Sequence, residues 1–159
     1  MKGLLFIAAG LIASSSYAVY TPSATLNISG TVLAINEIEI TPTIDAIDLN
    51  ITGGETNQLV ATVSERSNSF TGYKITMKSA NASKLVNSLA GGAFTNYTVL
   101  YDTMTVPMTL TTDDQEVKNV ASLTALTTVS SDVKVNVTAK PLAPAGTYSD
   151  TITISIAAN

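Results

Sequence analysis

The sequence predicts an all-β protein built as a sandwich of antiparallel sheets. Thr, Val and Ile recur along the whole chain, and β-branched side chains suit a pleated, half-buried strand better than a helix. Apolar and polar residues alternate with a period of two in many short segments, as strands with one buried face require. Turn-forming Gly, Pro, Asn, Asp and Ser separate these segments. Short strands at this spacing are typical of two packed antiparallel sheets.

Seven segments carry the strand pattern, and each is marked by its apolar residues. They are Leu26, Ile28 and Val32; Ile38 and Ile40, followed after Pro42 by Ile44, Ala46 and Leu49; Leu59, Ala61 and Val63; Tyr73, Ile75 and Met77; Val106, Met108 and Leu110; Val133, Val135 and Val137; and Tyr148, Ile152, Ile154 and Ile156. The one helix candidate is 80–89, where Leu85 and Leu89 lie four residues apart. A single turn or a loop fits that segment equally well.

The first residues resemble a secretory signal peptide. Lys2 supplies a positive charge, an apolar run follows from Gly3 to Ala13, and the segment Ser14 to Ala18 supplies small residues before a cut after Ala18. We therefore expect a signal peptide at 1–18 and a single mature domain at 19–159. A buried N-terminal helix or an uncleaved anchor is the alternative, although the apolar run is shorter than the ~20 residues of a membrane helix. No later segment predicts a membrane span in the mature chain.

Composition argues against several function classes. Twelve acidic residues outnumber eight basic ones, for a net charge of −4, whereas nucleic acids and anionic membranes require a basic face. The chain has no Cys, His or Trp, so it lacks the thiol nucleophile, the usual catalytic base and the commonest soft metal ligands. Without Cys it also has no disulfide, and its stability must come from burial and backbone pairing.

The acidic residues offer the only candidate chemistry. Asp113, Asp114 and Glu116 lie in a polar segment and could bind Ca²⁺ or act as an acid–base pair. A solvated turn explains them better. Glu37 and Glu39 alternate with apolar residues, as expected on the wet face of a strand. We therefore predict no enzymatic activity, no metal and no cofactor.

The two ends of the mature chain stand out. The segment from Ala24 to Val32 alternates apolar with small polar residues, carries no charge and follows a short stretch, Val19 to Ser23, after the predicted cleavage site. A strand with a free N-terminus can pair with its own sheet or with the open edge of another molecule. A last strand, Tyr148 to Ile156, follows the turn at Pro144. Both segments are also compatible with the first and last strands of a complete sandwich.

Three stretches resemble the archaic chaperone–usher pilins and the related spore coat protein U-like domains. They are Leu26-Asn27-Ile28-Ser29 near the N-terminus, Asn96-Tyr97-Thr98-Val99-Leu100-Tyr101-Asp102 in the interior, and Pro144-Ala145-Gly146-Thr147-Tyr148-Ser149-Asp150-Thr151-Ile152 near the C-terminus. The last resembles the family's final motif, in which Ala-Gly-x-Tyr-x-Asp-x-Ile/Leu leads into the last strand. The chain departs from the family in lacking the disulfide that many relatives carry after the first strand.

The resemblance implies an immunoglobulin-like sandwich that lacks its last strand and so exposes a groove. A periplasmic chaperone would fill this groove until, at an outer-membrane usher, the N-terminal strand of another copy or a related pilin replaces it. The implied donor residues, within segment 19–32, are Ala24, Leu26, Ile28, Gly30 and Val32. The implied groove residues are Tyr148, Ile152, Ile154 and Ile156.

The resemblance thus implies a pilus subunit exported through the periplasm to the surface of a Gram-negative-type bacterium, where it would contribute to adhesion or biofilm formation. A different interpretation is a monomeric secreted sandwich or adhesin that binds a glycan or a host protein. Tyr97 and Tyr101 share one parity and could form an aromatic platform for such a ligand, although core packing explains them equally well. A third interpretation, the least favoured, is a hydrolase that uses the acidic residues at 113–116.

Overall fold

The computed structural model describes residues 22–89 and 91–159. These residues belong to two units, of which the first ends at Val32 and the second runs from Leu33 to Asn159. In the first unit, residues 23–32 form neither helix nor strand. The side chains of Leu26, Ile28 and Val32 there are 85%, 88% and 87% exposed. The predicted signal peptide at 1–18 and its cleavage site lie outside the described residues.

The second unit consists of strands joined by turns and one short 3-10 helix. The strands are β1 (Asn36–Pro42), β2 (Glu55–Ser67), β3 (Tyr73–Ser79), β4 (Lys84–Asn87), β5 (Phe94–Tyr101), β6 (Gln115–Val120), β7 (Thr127–Val137), β8 (Tyr148–Ser149) and β9 (Ile152–Ala158), and the 3-10 helix is Ile44–Ile47. None of the helices in the described ranges has the length and apolar character needed to cross a membrane.

The strands form two antiparallel sheets in a sandwich-like arrangement. Six strands form one sheet in the order β1-β2-β7-β5-β4-β8, and three form the other in the order β6-β3-β9. Every strand pair is antiparallel. The predicted all-β, immunoglobulin-like class is therefore confirmed.

The core lies between the sheets and follows the predicted alternation most closely in β3 and β7. Tyr73, Ile75 and Met77 of β3 are at most 2% exposed, while the residues between them are only half-buried. Strand β7 repeats this pattern. The buried apolar residues of the core are Val60, Ala61, Val63, Tyr73, Ile75, Met77, Leu85, Tyr97, Val99, Tyr101, Leu110, Val133, Val135 and Val137.

Other segments differ from the sequence prediction. In β2 an irregularity between Leu59 and Ala61 lets both Val60 and Ala61 face inward, so the predicted alternation through Leu59 is broken. Segment 44–49 contains the 3-10 helix rather than a strand, and 80–89 contains β4 rather than a helix. Segment 106–110 is a loop that contributes only one bridge, from Met108 to Val99.

The predicted last strand, Tyr148 to Ile156, is two strands in different sheets. Strand β8 pairs with β4 in the large sheet, whereas β9 pairs with β3 in the small one. Asp150 lies between β8 and β9, where the chain passes from one sheet to the other. Its carboxylate holds this position by accepting hydrogen bonds from the Tyr97 hydroxyl at 2.8 Å and the Asn81 backbone N–H at 3.0 Å. Alternation could not reveal this crossing because both strands keep the same parity of apolar residues.

Candidate functional site

Two strand edges lie open on the same side of the sandwich. Strand β1 ends the large sheet and β9 ends the small one, so within the described strands each has a hydrogen-bonded neighbour on one side only. An open edge presents unpaired backbone N–H and C=O groups, which favours pairing with a further strand. These two edges bound the candidate site.

An apolar groove lies along these edges, with a cavity volume of about 200 Å³. An apolar cavity of about 150 Å³ is large enough for benzene, so the groove can take an aliphatic side chain. We call the residues that line it the groove residues. They are Ile40, Pro42, Ala46, Leu49, Val60, Ala61, Leu85, Tyr97, Val133, Val135, Asp150, Ile152 and Ile154.

One wall of the groove is the inward face of β9. Ile152, Ile154 and Ile156 alternate with exposed residues and pack against the core, yet each is only partly buried. Ile75, which lies directly opposite Ile156 on the neighbouring strand, is fully buried. The difference follows from position, because β3 has a strand on both sides and β9 has one.

The opposite wall combines the end of β1 with the 3-10 helix. Ile40 is 42% exposed although it belongs to a groove wall. The helix is fixed by hydrogen bonds on both sides of its start: the Thr43 N–H donates to the Val60 carbonyl at 2.9 Å, and the Gln58 side chain donates to the Asp45 carboxylate at 2.7 Å. This anchoring keeps Ala46 on the groove.

The polar end of the groove is the Asp150 carboxylate. It accepts hydrogen bonds from the hydroxyls of Ser79 at 2.5 Å and Tyr97 at 2.8 Å. Burial, followed by the interaction with Asp150, raises the pKa of Tyr97 above its usual value. The phenol therefore stays protonated to a higher pH than an ordinary tyrosine and keeps donating to Asp150.

The four residues that the family resemblance implies for the groove do not all line it. Ile152 and Ile154 line the groove, and Ile156 follows them on the same face of β9. Tyr148 lies on β8 opposite Asn87, and its hydroxyl donates to the Pro144 carbonyl at 3.1 Å.

The predicted donor residues all belong to the first unit. Ala24, Leu26, Ile28, Gly30 and Val32 are all exposed. Among the described residues other than Gly30 and its two chain neighbours, no heavy atom lies within 4 Å of where a Cβ at Gly30 would be.

Sequence reasoning missed most of the wall opposite β9. Ile40 and Leu85 were recognised as apolar residues but not as groove residues, because the sheets bring them to β9 from distant parts of the chain. The sequence signal of Ile40 is an apolar alternation, which strands with no groove share, and that of Leu85 is a helix-like spacing from Leu89.

The acidic residues at 113–116 are not among the groove residues. Asp113, Asp114 and Glu116 are exposed, and Asp114 pairs with Lys78 at 3.3 Å. Across residues 22–89 and 91–159, no cluster of three potential ligands could hold a metal ion. Tyr97 and Tyr101 are 3% and 0% exposed, so they belong to the core and form no surface platform.

Comparison with known proteins finds no match, either among models of protein families or among curated proteins.

Proposed function

We propose that this chain is the structural subunit of a surface pilus that polymerises by strand donation, with the N-terminal segment of one copy filling the groove of the next. The observation that carries the proposal is an apolar groove bounded by two open strand edges. A groove of this kind suits an extended peptide, because the edge offers main-chain hydrogen bonds and the pocket accepts alternate side chains.

The N-terminal segment has the chemistry of such a peptide. Leu26 and Ile28 share one parity with Ala24, and all three are exposed. Gly30 leaves room for a close backbone approach on that same parity. Burying three or four aliphatic side chains at ~1.5–3 kcal/mol each favours insertion by roughly 5–10 kcal/mol before ordering costs. In the filament this gain comes from the neighbouring copy.

Strand donation between identical copies gives an open filament. Donor segment and groove are different surfaces, so each contact is head-to-tail and leaves a donor at one end and a groove at the other. The chain is then a non-enzymatic protein, exported through the periplasm of a Gram-negative-type bacterium. A chaperone protects the groove before assembly, an outer-membrane usher exchanges it for the donor strand, and the pilus serves adhesion or biofilm formation.

The test is assembly with and without the donor segment. Chain starting at Val19 is compared with chain starting at Gly30, by unheated denaturing gels and electron microscopy. We expect ladders and filaments from the first and none from the second. A synthetic peptide of residues 22–34 should bind the truncated chain and raise its melting temperature, since a ligand that binds only the folded state stabilises it.

Matched variants separate strand donation from general damage. Ile28→Asp should abolish filaments, whereas Asn27→Asp, which adds the same charge on the other parity, should leave them. On the groove side, Ile154→Asp should block assembly and Ser155→Asp, on the exposed face of β9, should not. Filaments from the truncated chain, or equal damage from both members of a pair, would overturn the proposal. A stable monomer that binds a glycan or a protein would support the binding-module alternative.

A further inference from the structure

A buried carboxylate links the two sheets at a place separate from the groove. Glu65 on β2 is 1% exposed and accepts hydrogen bonds from the hydroxyls of Tyr73 at 2.7 Å, Tyr101 at 2.6 Å and Ser131 at 2.7 Å. The Lys118 ammonium lies 3.1 Å from the same carboxylate. We call these five residues, together with Asp102, the Glu65 cluster.

Lys118 is shared between two carboxylates. Its Nζ lies 2.8 Å from Asp102 Oδ2, closer than to Glu65. Asp102 follows the end of β5, with a positive φ of 54° and its backbone N–H donating to the Asp132 carbonyl at 2.8 Å. The backbone thus holds the Asp102 carboxylate against the amine, which is the positioning that a reaction between two side chains needs.

This ion pair differs from the others in the described part of the chain. In the pairs Arg66–Glu37, Lys78–Asp114 and Lys134–Asp132, every side chain is at least 38% exposed. Lys118 is 15% exposed, Asp102 27% and Glu65 0%. Shielding from water destabilises charged groups relative to neutral ones. Among the ion pairs of residues 22–89 and 91–159, this is the one in which an amine contacts two carboxylates, one to react with and one to move a proton.

We propose that Lys118 and Asp102 condense into an amide bond within the folded chain, with Glu65 as the proton carrier. Proton transfer from the Lys118 ammonium to the Asp102 carboxylate gives a neutral amine and a carboxylic acid. The amine nitrogen attacks Cγ of Asp102 and the C–N bond forms. Glu65 takes a proton from the nitrogen and delivers it to a hydroxyl of the adduct, which leaves as water when the C–O bond breaks.

The condensation of Lys118 with Asp102 needs no other reagent. An ammonium and a carboxylate become an amide and one water molecule, and Glu65 ends in its starting state. Burial raises the pKa of both Tyr73 and Tyr101, and Glu65 raises it further. Their phenols therefore remain donors that keep Glu65 in place. The bond would join the end of β5 in the large sheet to β6 in the small one, a covalent link across a sandwich that has no Cys.

Mass spectrometry of the full-length gene product tests the proposal, which does not depend on the proposed pilus function. Compared with Lys118→Arg, the wild-type chain should be lighter by one water molecule beyond the substitution itself. Trypsin should fail to cut after Lys118, so that residues 85–134 appear as one peptide lighter by one water. Cleavage after Lys118 with full mass, in folded protein and after prolonged incubation, would overturn the proposal.

Internal controls isolate the chemistry. Lys134 faces Asp132 at 3.2 Å in a solvent-exposed pair, so trypsin should cut after it and Lys134→Arg should keep the mass deficit. Asp102→Asn should lose ammonia in place of water, because the leaving group changes while the amide product does not. Glu65→Gln should be folded by circular dichroism but have full mass. A Glu65→Gln chain that keeps the deficit would contradict the assigned role of Glu65.

Discussion

The Glu65 cluster and the groove belong to the same sandwich but are completed in different ways. In the cluster, residues from β2, β3, β5, β6 and β7 meet, and within the described residues no buried side-chain polar atom lacks a hydrogen-bond partner. At the groove, β1 and β9 have no outer neighbour among the described strands, and apolar side chains that face inward remain partly exposed.

This difference separates the stability of the free chain from its capacity to assemble. Fully buried and paired groups contribute their whole burial free energy to the fold of the free chain. Half-buried apolar groups contribute only part of it, and the remainder is gained when a partner covers them. We therefore expect substitutions in the cluster to destabilise the free chain strongly. Substitutions in the groove should act mainly when a strand is bound.

The largest effect is expected from Glu65→Ala. Three buried hydroxyls lose their acceptor, and each buried polar group left without a partner costs about 1–3 kcal/mol. The midpoint of urea unfolding should fall accordingly. Asp114→Ala removes one partner of an exposed pair and should change the free energy of unfolding by less than about 1 kcal/mol. Equal losses of unfolding free energy in the two variants would refute the expectation that the Glu65 cluster stabilises the free chain more than an exposed ion pair does.

A second prediction compares two isoleucines that lie side by side. Ile75→Ala removes a fully buried side chain and should cost about 2–5 kcal/mol. Ile156→Ala, at the register partner on β9, should cost less than about half as much in the free chain because Ile156 is only partly buried. Its cost should rise once the peptide of residues 22–34 occupies the groove. If both substitutions cost the same without peptide, β9 is as well covered as an interior strand.

The last prediction concerns alkaline pH. The folded pKa of Tyr73 and of Tyr101 is raised above the unfolded value of about 10. The unfolded chain therefore loses these protons first, so stability is complete below pH ~10 and falls as pH rises through the folded pKa values. Each tyrosine contributes a slope of about 1.4 kcal/mol per pH unit in that window.

Denaturant unfolding at pH 8, 10 and 11 measures this loss. The double variant Tyr73→Phe, Tyr101→Phe should show a shallower decline than the wild-type chain, even though it is less stable at pH 8. Tyr97→Phe serves as the comparison at the groove end, where the folded pKa is raised as well. An identical decline in wild-type and double-variant chains would exclude the cluster tyrosines as its source.

Sequence reasoning identified the fold class because the strand pattern is local. Alternation at Tyr73, Ile75 and Met77 is set by the period of a single strand, and it correctly gave the buried face of β3. It failed where a local irregularity breaks the period, as at Val60 beside Ala61 in β2. The alternation also predicted one strand where the structure has β8 and β9, because the change of sheet at Asp150 leaves the period of two unaltered.

The Glu65 cluster went unnoticed although one signal was present. Glu65 occupies the same parity as Val63 and Ser67, so a charged residue stands where the pattern requires a buried one. Nothing local pointed to its partners, which lie 8 to 66 positions away along the chain. Register between strands decides such pairings, and register depends on packing across the whole sheet.

The sequence alone determined that the chain forms β-strands, which of its faces are apolar, and that its N-terminal segment is apolar on one parity and uncharged. These properties depend on residues a few positions apart. Only the tertiary structure decided that β1 and β9 end their sheets on either side of a groove and that Lys118 lies between Glu65 and Asp102. Those arrangements come from long-range strand pairing, in which backbone hydrogen bonds are the same for every residue and packing selects the partner.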